Sequence, residues 1–215
     1  MTDVWSDRAD DYRTSEIHSS GDDLDLVVEW CEPGPGVDVL DVATGGGHVA
    51  RRLRELGANV VTVDPAPGMQ ADVIAPAEHL PFADSSFDAV ACRVAAHHFT
   101  DVLAAVKEMA RVARHRLVLC DNTFVSESSE EADRLRDPSH VRNYGVEEWK
   151  SFFELAGLEV VEERFMERPL EVGPWLARTQ TPAADGAQVR ELLGDRIVDG
   201  WMQLPTFIVK GVKAA

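Results

Sequence analysis

The sequence predicts an α/β fold: a mostly parallel sheet of seven strands, with helices on both faces and an antiparallel hairpin at one edge. Three observations support this prediction. Short apolar runs alternate with segments of helical periodicity between residues 21 and 120, which is typical of a parallel sheet with crossover helices. The apolar run at 37–42 leads into three glycines and a helix. Two late apolar runs after a further helix indicate the hairpin.

The elements between residues 21 and 94 have clear boundaries. The first helix, at 21–31, ends before the Pro-Gly-Pro-Gly segment at 33–36, because proline and glycine interrupt helices. A second helix at 48–56 is closed by Gly57, a typical C-terminal glycine. Strands are predicted at 37–42, 59–63, 69–74 and 87–94.

The second half of the chain contains a polar insert between regular elements. Asp101 is a candidate N-cap for a helix at 101–112, and a strand follows at 117–120. Residues 125–145 lie beyond the carboxyl end of that strand, where open α/β sheets bind ligands, so we interpret them as a lid. The chain is interpreted as a single domain over 1–215, completed by a helix at 146–156 and strands at 158–165 and 206–212.

Composition and charge argue against several classes of partner. Acidic residues outnumber basic ones by 38 to 21, and the formal charge of −17 repels phosphate backbones, so nucleic acid is not an expected partner. No apolar run is long enough to cross a membrane, and the acidic N-terminus is unlike a secretory signal, so a cytoplasmic location is expected. The sequence leaves open whether the protein is a monomer or a homodimer.

The cysteines indicate neither a disulfide framework nor a metal site. Cys31, Cys92 and Cys120 are an odd set without C-x-x-C spacing, and they are expected to be free thiols. No cluster of histidine, cysteine and acidic residues has convincing metal-ligand spacing, so no metal is predicted.

The stretch VLDVATGGGHVA at 39–50 is the first candidate ligand site. Gly45, Gly47 and Ala50 fit the G-x-G-x-x-A spacing of dinucleotide-binding turns, and Asp64 lies about where such a site places its ribose-binding acid. Glycines let the backbone approach a ligand closely, and the next helix N-terminus offers oriented N–H groups. The stretch alone is compatible with NAD or with S-adenosylmethionine.

Two further features favour S-adenosylmethionine. Asp41 completes a D-x-x-x-G-x-G pattern, and a carboxylate there suits a ligand with an ammonium and a sulfonium group but repels a pyrophosphate. The second feature is AEHLPF at 77–82, followed by DSSFD at 84–88. With these motifs the chain resembles the class I S-adenosylmethionine-dependent methyltransferases, in the branch related to the ubiquinone and menaquinone C-methyltransferases. The resemblance extends over nearly the whole chain.

This resemblance implies a Rossmann-like fold and a set of cofactor contacts. It implies that residues 41–50 hold the methionine end of the cofactor, that Asp64 binds the ribose, and that residues 76–82 contact the adenine. The N-terminal segment at 1–32 is implied to fold over the cofactor. The implied cofactor-binding residues are Asp41, Ala43, Gly45, Gly47, Asp64, Pro65, Ala77, Glu78, Arg93 and Tyr12.

The chain departs from the family pattern near the implied cofactor site. APGMQAD at 66–72 leaves room only for a turn where most relatives carry a full helix. Pro76 replaces an acid that bonds the adenine amino group in many relatives. Backbone groups at Ala77 and Glu78, with apolar contacts, are therefore expected to recognise the adenine. The Pro-Gly-Gly turn that usually precedes the fifth strand is missing from 111–119.

His97 and His98 are the candidate catalytic residues. They follow the fourth strand, at the position where the resemblance places the methyl group. Because histidine titrates near neutral pH, either residue is a candidate general base or a group that orients an acceptor hydroxyl. Helix capping and packing under the lid are the alternative roles. Arg93, which ends the same strand, is expected to hold a ligand carboxylate or to pair with an acid such as Asp121.

The candidate substrate contacts lie outside these motifs. They are His18 in the N-terminal segment, Asp121 at the end of the fifth strand, and His140 and Arg142 in the lid. The lid motif LRDPSHVR also contains Arg136. Its basic residues form either an anion-binding patch or salt bridges to Asp133 and Asp137, and we prefer the salt bridges.

The sequence thus predicts methyl transfer from S-adenosylmethionine to a small-molecule acceptor, with S-adenosylhomocysteine as the product. One alternative is a cofactor-binding protein without this activity: a sensor, a partner subunit or a cyclase-like enzyme. A second is an NAD-dependent oxidoreductase. The sequence leaves open the identity of the acceptor and whether carbon, oxygen or nitrogen is methylated.

Overall fold

The chain forms one sheet of seven strands, described here from a computed structural model that covers residues 4–15 and 19–213. The strands are β1 (Asp38–Val42), β2 (Asn59–Asp64), β3 (Val73–Ile74), β4 (Phe87–Arg93), β5 (Ala113–Asn122), β6 (Leu158–Glu171) and β7 (Trp201–Lys213). Their order in the sheet is β3-β2-β1-β4-β5-β7-β6. The first five strands are parallel, and β7 is antiparallel to both of its neighbours. The predicted fold class is confirmed.

Helices cover both faces of the sheet. Those among the described residues are α1 (Val4–Asp7), α2 (Ala9–Arg13), α3 (Asp22–Trp30), α4 (His48–Glu55), α5 (Val102–Val112), α6 (Glu127–Arg136), α7 (Val146–Leu155), α8 (Val172–Arg178) and α9 (Ala183–Leu193). As predicted, β2 and β3 are joined only by a short turn, with one 3₁₀ turn at Pro67–Met69.

Strand β4 shows how the sheet separates two hydrophobic layers. Side chains alternate along a strand, so Val90 and Cys92 point to one face and Ala89 and Ala91 to the other. The first face packs against α5 and α7, where Trp149 is fully buried, and the second packs against α3 and α4. Burial on both faces explains why this strand is a continuous apolar run in the sequence.

The C-terminal hairpin is longer than predicted. β6 and β7 pair as far as Glu171 and Trp201, whereas strands were predicted only at 158–165 and 206–212. Much of β6 is exposed, so its outer half lacks the apolar signal of a buried strand. Helices α8 and α9 connect the two strands and were not predicted, because Pro174 and nearby glycines interrupt the periodicity.

A third, smaller hydrophobic cluster lies apart from the two layers. It contains Ala132 of α6, Trp175 and Leu176 of α8, Val189 of α9 and Met202 of β7. We call the unit formed by α6, α8, α9 and the outer halves of β6 and β7 the roof. The predicted lid at 125–145 contributes α6 to this roof.

Two other expectations concern burial and membranes. Cys31, Cys92 and Cys120 are buried free thiols, as expected. Among the described residues, no helix has the length and apolar character needed to cross a bilayer.

Candidate active site

A cavity of about 480 Å³ lies at the carboxyl ends of the parallel strands. Its walls come from the turn after β1, the end of β2, the loop after β3, the turn after β4, the N-terminal helices and the roof. Most of the predicted site residues meet here. The ones that line the cavity are Tyr12, Asp41, Ala43, Gly45, Asp64, Pro65, Ala77, Glu78, Arg93, His97 and His98.

The turn at 43–47, which we call the glycine turn, has an alternating left-handed backbone. Ala43, Gly45 and Gly47 have φ angles of 53°, 51° and 74°. Successive turns of this kind point backbone N–H groups into a common concavity. A side chain at Gly45 would meet no protein atom within 4 Å, so the space beside the turn is open to a ligand. Gly47 does not line the cavity. It is the N-cap residue of α4.

Asp64 fixes the glycine turn to the end of β2. One carboxylate oxygen accepts a hydrogen bond from the Gly45 N–H at 3.0 Å, and the other accepts one from the Ala66 N–H at 2.9 Å. The carboxylate is buried, yet it lies on the cavity wall. It is therefore held in place by the backbone and suited to accept hydrogen bonds from ligand hydroxyls.

Asp41 is a buried carboxylate on the same wall with no basic side chain of a described residue at salt-bridge distance. It accepts hydrogen bonds from the Thr44 hydroxyl at 2.6 Å and from the Ala50 N–H at 3.2 Å. Burial raises the pKa of Asp41 to about 6 despite these bonds. A cationic ligand group beside it would favour the charged carboxylate, so this end of the cavity fits an ammonium or sulfonium group.

The N-terminal helices, α1 and α2, pack beside the glycine turn. The carbonyl oxygen of Tyr12 accepts a hydrogen bond from His48 Nε2 at 2.9 Å. A side chain at Gly46 would place its Cβ 2.5 Å from that oxygen, and one at Gly68 would place its Cβ 2.5 Å from the Ser6 Cα. Two glycines thus allow α1 and α2 to approach, and aromatic side chains of both helices line the cavity.

The loop after β3 forms the side wall next to Asp64. Pro76, Ala77 and Glu78 all line the cavity. The Glu78 carboxylate accepts hydrogen bonds from the Thr100 and Asp101 N–H groups at 2.9 and 3.3 Å. This side chain therefore ties the loop to the start of α5, which fixes the position of the loop backbone beside the cavity.

His97 is held by a fully buried carboxylate. Its Nδ1 lies 2.6 Å from Asp121 Oδ1, and its backbone N–H donates to Asp121 Oδ2 at 2.8 Å. This bonding assigns the proton to Nδ1 and leaves Nε2 as the nitrogen without a partner among the described residues. Burial lowers the pKa of His97, but the Asp121 charge and hydrogen bond outweigh it and raise the pKa overall. Asp121 itself does not line the cavity.

His98 lies beside His97 in a different electrostatic environment. The two ring centroids are 4.1 Å apart. His98 Nδ1 donates to the Ser139 carbonyl oxygen at 3.1 Å, which again leaves Nε2 as the remaining nitrogen. Burial, followed by the neighbouring His97, holds the pKa of His98 well below its usual value. The pair therefore joins a readily protonated histidine to one that stays neutral.

Arg93 pairs with Asp23, and the predicted partner Asp121 is wrong. Arg93 Nε and Nη2 lie 2.8 and 2.7 Å from Asp23 Oδ2. Arg168 of β6 approaches the same oxygen at 3.3 Å and also donates to the Asn122 side-chain oxygen at 3.2 Å. One buried acid of α3 therefore balances two arginines on the cavity wall.

Arg136 and Arg178 also line the cavity, on the roof side. The Arg136 guanidinium stacks over the Trp175 ring at 4.4 Å, and its Nε donates to the Trp175 carbonyl oxygen at 3.2 Å. Neither arginine has a carboxylate of a described residue within 4.0 Å. The preferred interpretation, in which Arg136 forms salt bridges to Asp133 and Asp137, is therefore wrong.

The other lid candidates serve the roof's own structure. Arg142 pairs with Glu148 at 2.9 Å, and neither it nor His140 lines the cavity. Glu130 accepts hydrogen bonds from His140 and Asn143, and the Asn143 side chain also donates to Asp133. Glu130, Asp133 and His140 have the spacing of possible metal ligands, which the sequence did not predict. Glu130 bonds to His140, and the Asn143 side chain links Glu130 to Asp133, so these residues form a polar network.

Most residues that line the cavity on the roof side were not predicted from the sequence. His18 lies outside the described residues, so its predicted role is not addressed. The unpredicted lining residues from the roof are Arg168, Leu170, Arg178 and Leu204. They carry no motif, and the segment between 166 and 205 had no assigned structure, so no signal in the sequence identifies them.

Comparisons with known proteins agree with this fold and site. The methyltransferase-domain family matches residues 40–119, which span β1 to β5. An uncharacterized methyltransferase of Bacillus subtilis, YcgJ, is 33% identical over 207 residues, covering 86% of this chain and 82% of its own length.

Solved structures give the same result. The YcgJ crystal structure aligns with a TM-score of 0.81 at 28% identity, covering 90% of this chain and 98% of that one. A putative methyltransferase from Bacillus halodurans, BH2331, aligns with a TM-score of 0.79 at 26% identity, covering 91% of this chain and all of that one (100%). The chain belongs to the class I S-adenosylmethionine-dependent methyltransferases.

Membership in this family implies S-adenosylmethionine, and not NAD, as the ligand that the protein uses. The residues at the turn end of the cavity fit that group. The backbone cradle suits an amino acid and the fixed, buried Asp64 suits a ribose. The buried Asp41, which has no salt-bridge partner among the described residues, suits a positive charge.

Proposed function

We propose that the protein methylates a small-molecule acceptor held in the same cavity as the methyl donor. One observation carries this proposal: the cavity extends without interruption from the glycine turn and Asp64 to His97. Donor and acceptor would therefore share one site. Methyl transfer depends mainly on alignment of the reacting groups and exclusion of water, and a shared site provides both.

We assign the donor to the end of the cavity formed by the glycine turn, Asp41 and Asp64, which we call the donor end. Asp64 would bind the ribose hydroxyls, Asp41 and the glycine turn would surround the methionine end, and Ala77 would contact the adenine. S-adenosylmethionine supplies a methyl group on a positively charged sulfur. The buried Asp41 carboxylate offsets that positive charge, as its position on the wall suggests.

Two observations support a small acceptor. The cavity volume lies within the range of small-molecule sites, roughly 300–1,000 Å³, and the donor takes up part of it. The net charge of −17 argues against a nucleic acid acceptor. The N-terminal helices and the roof both contribute walls, which leaves less room for a macromolecular segment than an open groove would.

We assign His97 as the general base and Asp121 as the residue that positions it. With the proton on Nδ1 held by Asp121, Nε2 is free to accept a proton from an acceptor hydroxyl or amine. S-adenosylmethionine, held by the glycine turn, Asp41 and Asp64, would supply the methyl group to the acceptor atom and leave as S-adenosylhomocysteine. His97 Nε2 would take the acceptor proton. His98, which stays neutral, would orient the acceptor.

The proposal is tested first by binding and then by turnover. We expect S-adenosylmethionine and S-adenosylhomocysteine to bind in isothermal titration calorimetry, and a labelled methyl group to appear on a member of a panel of phenols, amines and organic acids. If neither compound binds, the proposal is wrong. Tight binding of both without turnover over a broad panel would instead support the non-catalytic alternative.

A further inference from the structure

The roof side of the cavity carries two arginines, Arg136 and Arg178, that form no ion pair with a described residue. We propose that Arg136 and Arg178 bind an anionic oxygen group, a carboxylate or a phosphate, of the methyl acceptor. This inference rests on the proposed function, because it concerns the second ligand of the same cavity. It names the chemical class of the acceptor, which the family does not define.

The first support is the lack of protein partners. Arg136 and Arg178 have no carboxylate of a described residue within 4.0 Å, although both line the cavity. The nearby acid that could have served, Asp137, instead faces Arg8 at 3.6 Å and accepts a hydrogen bond from the Ser139 hydroxyl at 2.6 Å. The net charge of −17 reflects many acids, yet none of those in the described residues pairs with these two cations.

The second support comes from the other two arginines of the cavity. Arg93 and Arg168 share Asp23, so their positive charge is partly balanced inside the protein. The same cavity therefore contains two arginines that share a carboxylate and two, Arg136 and Arg178, that have no carboxylate of a described residue within 4.0 Å.

The third support is that the arginine geometry is fixed before a ligand arrives. The Arg136 guanidinium stacks on Trp175 and is anchored through Nε, which leaves its two terminal nitrogens for a ligand. A stacked guanidinium presents its N–H groups in one plane, which matches the two oxygens of a carboxylate or phosphate. Arg178 lines the same cavity as Arg136. Burial lowers the pKa of Arg178, and the charge of Arg136 lowers it further.

The amino acid carboxylate of the donor is the competing occupant, and the position of the arginines argues against it. Both lie outside residues 40–119, the part that matches the methyltransferase domain and carries the donor end. They lie on α6 and α8, in the roof, beside apolar lining residues such as Leu170 and Leu204. The donor end has its own backbone cradle in the glycine turn.

The test uses the full chain saturated with S-adenosylhomocysteine, and inorganic phosphate and acetate as probes. Binding of each probe is measured by titration calorimetry for the wild type, Arg136→Gln, Arg178→Gln and the double variant. Arg190→Gln is the matched control, because Arg190 is exposed on α9 and makes no ion pair with a described residue. Circular dichroism and the melting temperature verify that each variant is folded.

We expect at least one probe to bind the wild-type complex and to bind about tenfold or more weakly after loss of either arginine, as for a hydrogen bond to a charged group. The control should bind like the wild type, and the affinity for S-adenosylhomocysteine should stay within about twofold. The tighter probe assigns the anion as carboxylate or phosphate.

Three results would overturn the inference while leaving the proposed function intact. One is probe binding that is equal in the wild type and the double variant, and another is no probe binding at all. The third is a loss of S-adenosylhomocysteine affinity in the arginine variants, which would assign them to the donor carboxylate. If the wild type fails to bind S-adenosylhomocysteine, the proposed function itself is wrong, and this outcome is distinct from the other three.

Discussion

The donor end and the roof end of the cavity are built in different ways. The donor end comes from loops that follow consecutive parallel strands, and its contacts are mostly backbone groups fixed by Asp64 and the glycine turn. The roof end comes from α6, α8 and the outer hairpin, and it acts through side chains such as Arg136 and Trp175. If the proposed function holds, backbone geometry binds the donor, which the family has in common, whereas side chains of the roof select the acceptor.

The two ends also differ in charge. Asp41 and Asp64 give the donor end a negative wall, and Arg136 and Arg178 give the roof end a positive one. His97 belongs to the turn after β4, and its Asp121 partner ends β5. A cationic donor and an anionic acceptor would each be attracted to one end. The predictions below test this division, beginning with the largest expected effect.

Substitution of the His97–Asp121 pair should have the largest effect on turnover. His97→Gln should lower the rate of methyl transfer by about 10²- to 10⁴-fold, the range for loss of a general base, and leave S-adenosylhomocysteine binding unchanged. Asp121→Asn should lower the rate and move the acid limb of the pH–rate profile to lower pH, because the Asp121 charge raises the pKa of His97. The measurement is the pH–rate profile of each variant. An unchanged rate for His97→Gln would exclude a base at this position.

Loss of Asp64 should be the most damaging change at the donor end. Asp64→Ala removes the acceptor proposed for the ribose hydroxyls and the hydrogen bond that holds the Gly45 N–H. We expect the affinity for S-adenosylhomocysteine to fall by about 10- to 100-fold, in line with hydrogen bonds to a charged group. Asp195→Ala is a matched control at an exposed acid. Equal affinity of the two variants in calorimetry would argue against ribose binding at Asp64.

The pKa of Asp41 predicts a pH dependence of donor binding. A cationic ligand favours the charged carboxylate, so the affinity for S-adenosylmethionine should rise with pH up to about 6 and then level off. Between pH 5 and pH 7 the change should be about tenfold, since one pKa unit corresponds to a tenfold change. Asp41→Asn should remove this dependence. A dependence that persists in Asp41→Asn would show that another group is responsible.

The raised pKa of Asp41 affects the stability of the free protein in the opposite direction. Stability falls as the pH rises, whereas donor affinity increases. The pKa of Asp41 in the folded chain is above its usual value of 3.8, so its contribution to stability is fully present below that value and is lost as the pH rises through about 6. Chemical denaturation of the free wild type and Asp41→Asn at several pH values measures this contribution.

Gly46→Ala should have the smallest effect, and it tests the N-terminal cover of the donor end. The added methyl group would lie 2.5 Å from the Tyr12 carbonyl oxygen, so α2 must move away from the glycine turn. We expect donor affinity to fall several-fold and the N-terminal segment to be cleaved faster by protease. Gly173→Ala is the control, because its added methyl group meets no atom within 4 Å. Equal donor affinity and equal protease sensitivity of the two variants would contradict the close packing of α2 against the glycine turn.

The sequence predicted the donor end well because short-range patterns encode it. Strands buried on both faces are continuous apolar runs, and the glycine turn with Asp41 and Asp64 spans only about 25 residues. Four residues of this region that line the cavity, Asp41, Ala43, Gly45 and Asp64, were named in advance. Gly46 was not, because only the contact with the Tyr12 carbonyl oxygen requires a glycine there. Tyr12 lies in α2, far from Gly46 in the sequence.

The roof end was poorly predicted because its residues meet only through tertiary structure. Asp23, which contacts both Arg93 and Arg168, lies 70 positions from Arg93 in the sequence and 145 positions from Arg168. Arg178 lies in a helix whose proline and glycine hide its periodicity. The acids next to Arg136 in sequence suggested salt bridges, but the fold directs Asp137 to Arg8 instead.

The crystal structure of the complex with S-adenosylhomocysteine is the most direct test of the division into two ends. The account predicts ribose hydroxyls on the Asp64 carboxylate, the amino acid part at the glycine turn, the sulfur facing His97, and no contact of the ligand with Arg136 or Arg178. A ribose bound away from Asp64, or the ligand carboxylate bound by either roof arginine, would contradict it.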